Sequence, residues 1–343
     1  MPPVAPNPRK SPKLGFTFPP VHTRSRLASP STPPPATNSP DVAKPAMSNM
    51  WQRILSGVVG AALLLGSIWY SEWTFGLLFG LIQALMLREF YRMMKELGFK
   101  PAAIVGISLS LIIFAAAFVY ALVSNLLDIA QATDRLFVQE LSHYLKWVRI
   151  EVVVIAFLLP LILFLREMYS WPREKQPFSP FPNVGVALIG LFYVTLPMSG
   201  LNMLAFGPTG YDYRRIFALL FLIWAADTGA YIAGKNFGKH KLAPSISPGK
   251  TWEGWAGGAL LTLAVGWALG YLLPDMPLAH RLVAAAVVAV FGPLGDLAES
   301  MLKRSTGVKD SGRIMPGHGG LLDRFDAFLF VVPVLVVLQL LFT

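Results

Sequence analysis

No cysteine occurs among the 343 residues, which excludes disulfide bridges, thiolate nucleophiles and zinc sites built on thiolates. Charge is also scarce. Asp, Glu, Lys and Arg together make up 14% of the chain, about half the share of an ordinary soluble domain. Acidic groups are the scarcer kind, 19 against 29 basic, for a net charge of +10. A chain that is 54% hydrophobic, with a mean hydropathy of +0.54, is not a soluble globular protein, and its repeated long apolar runs make it polytopic. Half of the net charge lies in residues 1–50, where Arg9, Lys10, Lys13, Arg24, Arg26 and Lys44 face only Asp41. The rest follows the loops between apolar runs. That pattern fits the positive-inside rule and anionic lipid headgroups, so membrane lipids are expected as partners and nucleic acid is not.

Residues 1–47 are rich in Pro, Ser and Thr and show no apolar period, so a disordered tail is expected. The tail carries bases and almost no acids, as organellar targeting segments do, but its prolines spoil an amphipathic helix. The plainer reading is a start at Met47 or Met50, because Met50-Trp-Gln-Arg53 runs straight into apolar sequence as bacterial inner-membrane proteins often do. A bacterial inner membrane is therefore expected, with an organellar membrane as the alternative if the tail is a targeting segment.

The expected fold is an all-α polytopic integral membrane protein of about nine transmembrane helices. The spans run roughly 54–71, 73–90, 101–124, 150–166, 183–206, 216–234, 254–273, 281–297 and 325–342. Loops after the even-numbered spans hold Arg92, Lys95 and Lys100, then Arg173 and Lys175, then Lys235, Lys239, Lys241 and Lys250, then Lys303, Arg304, Lys309 and Arg313. The N-terminus is thus predicted in the cytoplasm and the C-terminus outside. Residues 50–215 form an N-terminal group of helices, and 216–343 carry the chemistry. The Arg88–Glu96 stretch alternates charge with apolar residues and is read as an interfacial helix end that snorkels its charges. Residues 125–149 form a loop that could be an amphipathic helix on the outer surface.

The segment 296–326 concentrates five acids, five bases and His318 between apolar flanks. Lipid tolerates such a cluster only where its members pair, bind metal or line a wet cavity. Ser300-x-x-Lys303-Arg304-x4-Lys309-Asp310-x-Gly312, continuing Pro316-x-His318-Gly319-Gly320-x-x-Asp323-Arg324-x-Asp326, resembles the signature of the CDP-diacylglycerol synthases, also called phosphatidate cytidylyltransferases. Thirteen specified positions fall within 27 residues. Met315 departs conservatively from the branched apolar residue usual there. Asp227-Thr-Gly-Ala-Tyr231 and Ser247-Pro-Gly-Lys250-Thr-Trp-Glu-Gly254 resemble two further segments of that family. The likeness is close over 215–343 and only general in layout over 50–215. Within the chain, Asp227 and Asp296 are each followed by a base at +8 and a glycine at +11, which raises the idea of two parallel halves facing one site.

Asp323 and Asp326 share one helix face at the start of the last span, and Asp296 and Glu299 have the same spacing at the end of the eighth. Clustered carboxylates repel unless a cation relieves them, and oxygen-only ligands suit Mg²⁺. Asp296, Asp323, Asp326 and Asp227 are the candidate metal ligands, and a second ion is left open. Pairing with Lys303, Arg304 and Arg324, or helix capping, is the alternative. Pairing is preferred for Glu299, and for Asp227 the metal and a lysine of its own loop stand level. Gly317, Gly319 and Gly320 let backbone amides approach an anion just before a helix N-terminus.

The resemblance implies attack by the phosphate of phosphatidic acid on the α-phosphorus of CTP, giving CDP-diacylglycerol and pyrophosphate. Lys250, Lys303, Arg304 and Lys309 are then assigned to phosphate oxygens, with Arg324 beside them. His318 either touches a phosphate or acts as general acid or base. Phosphate contact is preferred, because the nucleophile is already ionised at neutral pH. Asp323, Asp296, Lys303, Arg304 and His318 make up the predicted catalytic group. A homodimer is left open. A CTP-dependent polyprenol kinase and an ion-coupled transporter are the rival readings.

Overall fold

Helices account for most of the computed structural model, which describes residues 49–130, 135–170, 180–207, 210–312, 314–315 and 319–342. The order begins α1 (Asn49–Tyr70), α2 (Glu72–Glu96), α3 (Ala103–Ala130) and α4 (Arg135–Tyr169). Next, α5 (Pro180–Gly190) passes through a π-helical turn, Leu191–Thr195, into α6 (Leu196–Ala205). After a short strand pair, β1 (Phe206–Gly207) and β2 (Gly210–Tyr211), come α7 (Tyr213–Phe237), β3 (Lys241–Ala243), β4 (Ser247–Thr251) and α8 (Trp252–Ala268). The chain closes with α9 (Leu278–Ser305) and α10 (Leu322–Phe342).

Each of the nine predicted spans falls on a helical stretch. Six of those stretches are long and apolar enough to cross a membrane: Glu72–Glu96, Ala103–Leu127, Pro180–Ala205, Tyr213–Phe237, Leu278–Ser305 and Leu322–Phe342. The expected tail, 1–47, lies outside the described residues. Most of the loop expected at 125–149 is helical, since α3 runs on to Ala130 and α4 begins at Arg135. The all-α expectation meets two short antiparallel strand pairs. The larger, β3 with β4, occupies the polar stretch after α7. There Pro244 and Pro248 lack the N–H a helix needs, and hairpin pairing satisfies the backbone instead.

Helix α2 is the spine of the first half. A capping box between Ser71 and Thr74 starts it, and Phe75, Phe79, Met86, Leu87 and Tyr91 bury completely or nearly so. Apolar contact alone gives little specificity among helices in lipid, so polar side chains join α2 to its neighbours. Gln83 donates to Ser110 Oγ (2.7 Å), Thr195 donates to the same oxygen (3.0 Å), and Ser199 donates to Gln83 Oε1 (3.3 Å). In the second half, small residues replace bulky ones. A Cβ on Gly229 of α7 would stand 2.8 Å from Gly257 O of α8, and one on Gly258 would stand 2.7 Å from Ala226 O. The two backbones therefore touch, which fixes the β3–β4 hairpin between them.

Candidate active site

The site starts from helical spacing. Asp296, Glu299 and Lys303 lie on one face of the last turns of α9, and Asp323 and Asp326 on one face at the start of α10. Gly295 brings the two faces together, since a Cβ there would stand 2.5 Å from Asp326 O and 3.0 Å from Ala327 Cα. As a result, one carboxylate oxygen each from Asp296, Glu299 and Asp326 lie within 4.8 Å of one another. They open on a cavity of about 260 Å³ that Asp227, Lys303, Asp310, Asp323 and Arg324 also line.

Lysines enter this acidic cavity from two elements. Lys303 Nζ lies 2.6 Å from Glu299 Oε2 and 2.8 Å from Asp323 Oδ1. Lys250 reaches in from β4, 2.6 Å from Asp296 Oδ2, and also donates to Pro293 O (3.4 Å). Pro293 explains the docking of this region onto α9. It has no N–H to give Ala289 O, and the Trp255 indole N–H takes that carbonyl instead, at 3.0 Å.

The hairpin is held shut at its base by Glu253, which accepts the backbone N–H of Lys239 (3.1 Å) and of His240 (3.2 Å). His240 Nδ1 lies 2.6 Å from Glu253 Oε1. Hydrogen bonds to its carboxylate, from its own backbone N–H, from the His240 ring and from Lys239 and His240, hold Glu253 at about 2, well below the usual carboxylate range.

The loop between α9 and α10 wraps Asp323. Its Oδ2 accepts Ser311 N (3.0 Å), Ser311 Oγ (3.0 Å) and Gly320 N (2.8 Å). Gly319 takes a left-handed turn (φ 86°), and Met315 N donates to its carbonyl at 3.1 Å. A second carboxylate closes on the same loop from α2, where Glu89 Oε2 accepts Leu322 N (2.9 Å) and lies 3.1 Å from Ser311 Oγ, whose one hydrogen it shares with Asp323.

The sequence model of the cytidylyltransferase family matches residues 51–342. The chain belongs to that family. A phosphatidate cytidylyltransferase of Staphylococcus aureus (strain COL) is 46% identical over 167 residues, covering 48% of this chain and 62% of that relative. The namesakes from Staphylococcus epidermidis (strain ATCC 12228 / FDA PCI 1200) and Staphylococcus haemolyticus (strain JCSC1435) are 46% and 44% identical over the same extent, with the same coverage. The aligned part therefore spans somewhat under two thirds of these relatives.

Of the residues singled out on the family's motifs, Asp227, Asp296, Lys303, Asp323, Arg324 and Asp326 all line the cavity, and Lys250 reaches it through Asp296. Arg304 and Lys309 are exposed and enter no ion pair among the described residues. Gly317 and His318 lie outside the described residues. Three acids show more in the structure than their sequence readings gave them. Glu299, read as a pairing residue, does pair with Lys303, but it also belongs to the three-carboxylate group, and its Oε1 has no hydrogen-bond partner among the described residues. Glu89, read as a snorkelling charge, is only 3% exposed. Its neighbours Arg88, Arg92, Lys95 and Glu96 do face outward. The alternation of charge did not distinguish Glu89 from them, because only tertiary packing sets which turn of α2 meets the loop. Asp323, read as a metal ligand, has both oxygens engaged by Lys303, Ser311 and Gly320.

Proposed function

We propose that the chain transfers the cytidylyl group of CTP to phosphatidic acid at the cytoplasmic face of a bacterial inner membrane. The observation that carries this reading is the cavity itself: carboxylates from α7, α9 and α10 with Lys303 among them and Lys250 bound to Asp296, at the end of membrane-length helices. Family membership and the name borne by the staphylococcal relatives support it. Under the same proposal the nine helical stretches are nine spans, with the N-terminus cytoplasmic and the C-terminus outside.

A phosphate oxygen of phosphatidic acid attacks the α-phosphorus of CTP. The new P–O bond forms as the bond to the bridging α,β oxygen breaks, and pyrophosphate leaves with the electron pair. The nucleophile is already an anion, so the work of the protein is neutralisation and alignment. Asp296, Glu299 and Asp326 would hold Mg²⁺, for which three converging carboxylates, with Glu299 Oε1 lacking a partner among the described residues, are a suitable oxygen donor set. When bound, the ion supplies positive charge to the phosphates and relieves the mutual repulsion of the acids. Asp323 orients the Lys303 ammonium toward the cavity. Arg304 and Lys309, exposed beside it, meet the triphosphate as it arrives from water.

The test uses purified protein in detergent with phosphatidic acid, Mg²⁺ and CTP labelled at the α-phosphorus. Label in the lipid fraction with release of pyrophosphate is expected. CDP released on addition of a polyprenol, with no labelled lipid, would replace the reading with a lipid kinase.

A further inference from the structure

Glu89 comes from the N-terminal helices, yet it lies against the loop between α9 and α10 that wraps Asp323. We infer that Glu89 is a positioning residue of the active site, acting through Ser311 and the first turn of α10 to hold Asp323 and Lys303 in register. The inference deepens the cytidylyl-transfer reading and rests on it.

A carboxylate that is 3% exposed at the end of a membrane helix is costly unless its oxygens are matched. Glu89 enters no ion pair among the described residues; two neutral donors match its Oε2, and its Oε1 has no hydrogen-bond partner among the described residues. One of them, Leu322 N, opens α10 and has no acceptor within that helix, so Glu89 caps α10 from another element where a negative charge is favoured. The other, Ser311 Oγ, also contacts Asp323 Oδ2 (3.0 Å), and the Ser311 amide donates to both Asp323 oxygens.

Arg92, three residues further along α2, is exposed over about half of its side chain, but its guanidinium reaches back to donate to Ser311 O at 3.4 Å. Ser311 is fully buried and held at its hydroxyl by Glu89 and at its carbonyl by Arg92. Two glycines make room for this arrangement. A Cβ on Gly312 or on Gly320 would collide with the Glu89 carboxylate. The line Glu89, Ser311, Asp323, Lys303 thus joins α2 to the cavity through three successive contacts of 2.8–3.1 Å.

Both Glu89 bonds go to Oε2, so the single carbonyl oxygen of a glutamine can accept them both. Glu89→Gln is therefore expected to keep kcat within a few-fold, whereas Glu89→Ala releases the loop. A displacement of about 1 Å at reacting groups costs up to about a hundredfold, and a kcat lowered about ten- to a hundredfold is expected for Glu89→Ala. KM for CTP should change less than kcat, because Lys250, Arg304 and Lys309 stay in place and Lys303 alone among the phosphate-binding bases is displaced. Ser311→Ala added to Glu89→Ala should cost little more, since the two act in series.

The experiment measures kcat and KM for these variants, with hydrogen exchange of the same detergent-solubilised proteins. Faster exchange over residues 311–322 and unchanged exchange elsewhere are expected for Glu89→Ala. Wild-type kcat and exchange in Glu89→Ala would overturn the inference. So would a Glu89→Gln variant as damaged as Glu89→Ala with exchange raised along the whole chain, which is the mark of a purely structural residue. If the wild-type protein transferred no cytidylyl group, the functional reading would fail, while local exchange would still decide whether Glu89 holds the loop.

Discussion

Asp323 gathers donors from three parts of the chain: the Lys303 ammonium, the Ser311 amide and hydroxyl, and the Gly320 amide. Asn in its place offers one acceptor oxygen and turns an NH₂ toward groups that are themselves donors. Asp323→Asn is expected to lower turnover by about a hundredfold or more, the scale of losing one preorganised electrostatic contact. Steady-state assay of protein that elutes as wild type on size exclusion checks this, and normal turnover would remove Asp323 from the mechanism. Glu253 supports a second residue-scale prediction. Its folded value near 2 lies below its ordinary 4.5, so its contribution to hairpin stability is complete above about pH 4.5 and is lost as pH falls through 2. Hydrogen-exchange protection of residues 239–251, corrected for intrinsic rates, should hold from neutral pH to about 4.5 and then decline toward pH 2. In Glu253→Gln that protection should already be reduced at pH 7, because the charged acceptor is gone.

At the scale of elements, the spacing of Gly295 and Pro293 on α9 decides how the neighbouring helices dock. Gly295→Ala places a methyl against the α10 backbone, where no flexible side chain can move aside. Overpacking of this kind costs about 1–3 kcal/mol. The variant should melt earlier and also lose activity, because spreading α9 from α10 separates Asp296 and Glu299 from Asp326. A lowered melting temperature with wild-type turnover at low temperature would show that the carboxylate group tolerates the shift. The helices themselves were legible in the sequence, since apolar runs of span length leave few alternatives. The hairpin at 241–251 was not read as strands, because its pairing is set by where α7 and α8 cross. The π-turn at 191–195 has no local signature, and Thr195 is turned inward there to reach Ser110.

On the scale of the whole molecule, the hairpin after α7, the loop after α9 and the end of α2 meet at one end of the helices through Lys250–Asp296 and Glu89–Ser311. These are three of the four loop regions whose bases predict them on one side of the membrane. The chain has no native cysteine, so single introduced cysteines report sidedness directly. Ser245→Cys on the hairpin should react with an impermeant maleimide only in inside-out vesicles, and Asp275→Cys, between α8 and α9, only in right-side-out ones. Labelling of both from the same side would overturn the proposed topology. Removal of divalent cations by EDTA should abolish turnover, with recovery on adding Mg²⁺, and retention of full activity would exclude the metal role of the three carboxylates.

The sequence by itself determined the membrane class, the polar segment that borders the cavity and most of the residues that line it. Those depend on composition, on helical spacing and on short motifs, all of which are local. Only the tertiary structure decided which carboxylates converge, because a distance between α9 and α10 depends on Gly295 facing a backbone carbonyl 31 residues away in sequence. It likewise decided that Glu89 turns inward while its charged neighbours turn out, since that choice is made by the packing of α2 against a loop more than 200 residues further along the chain.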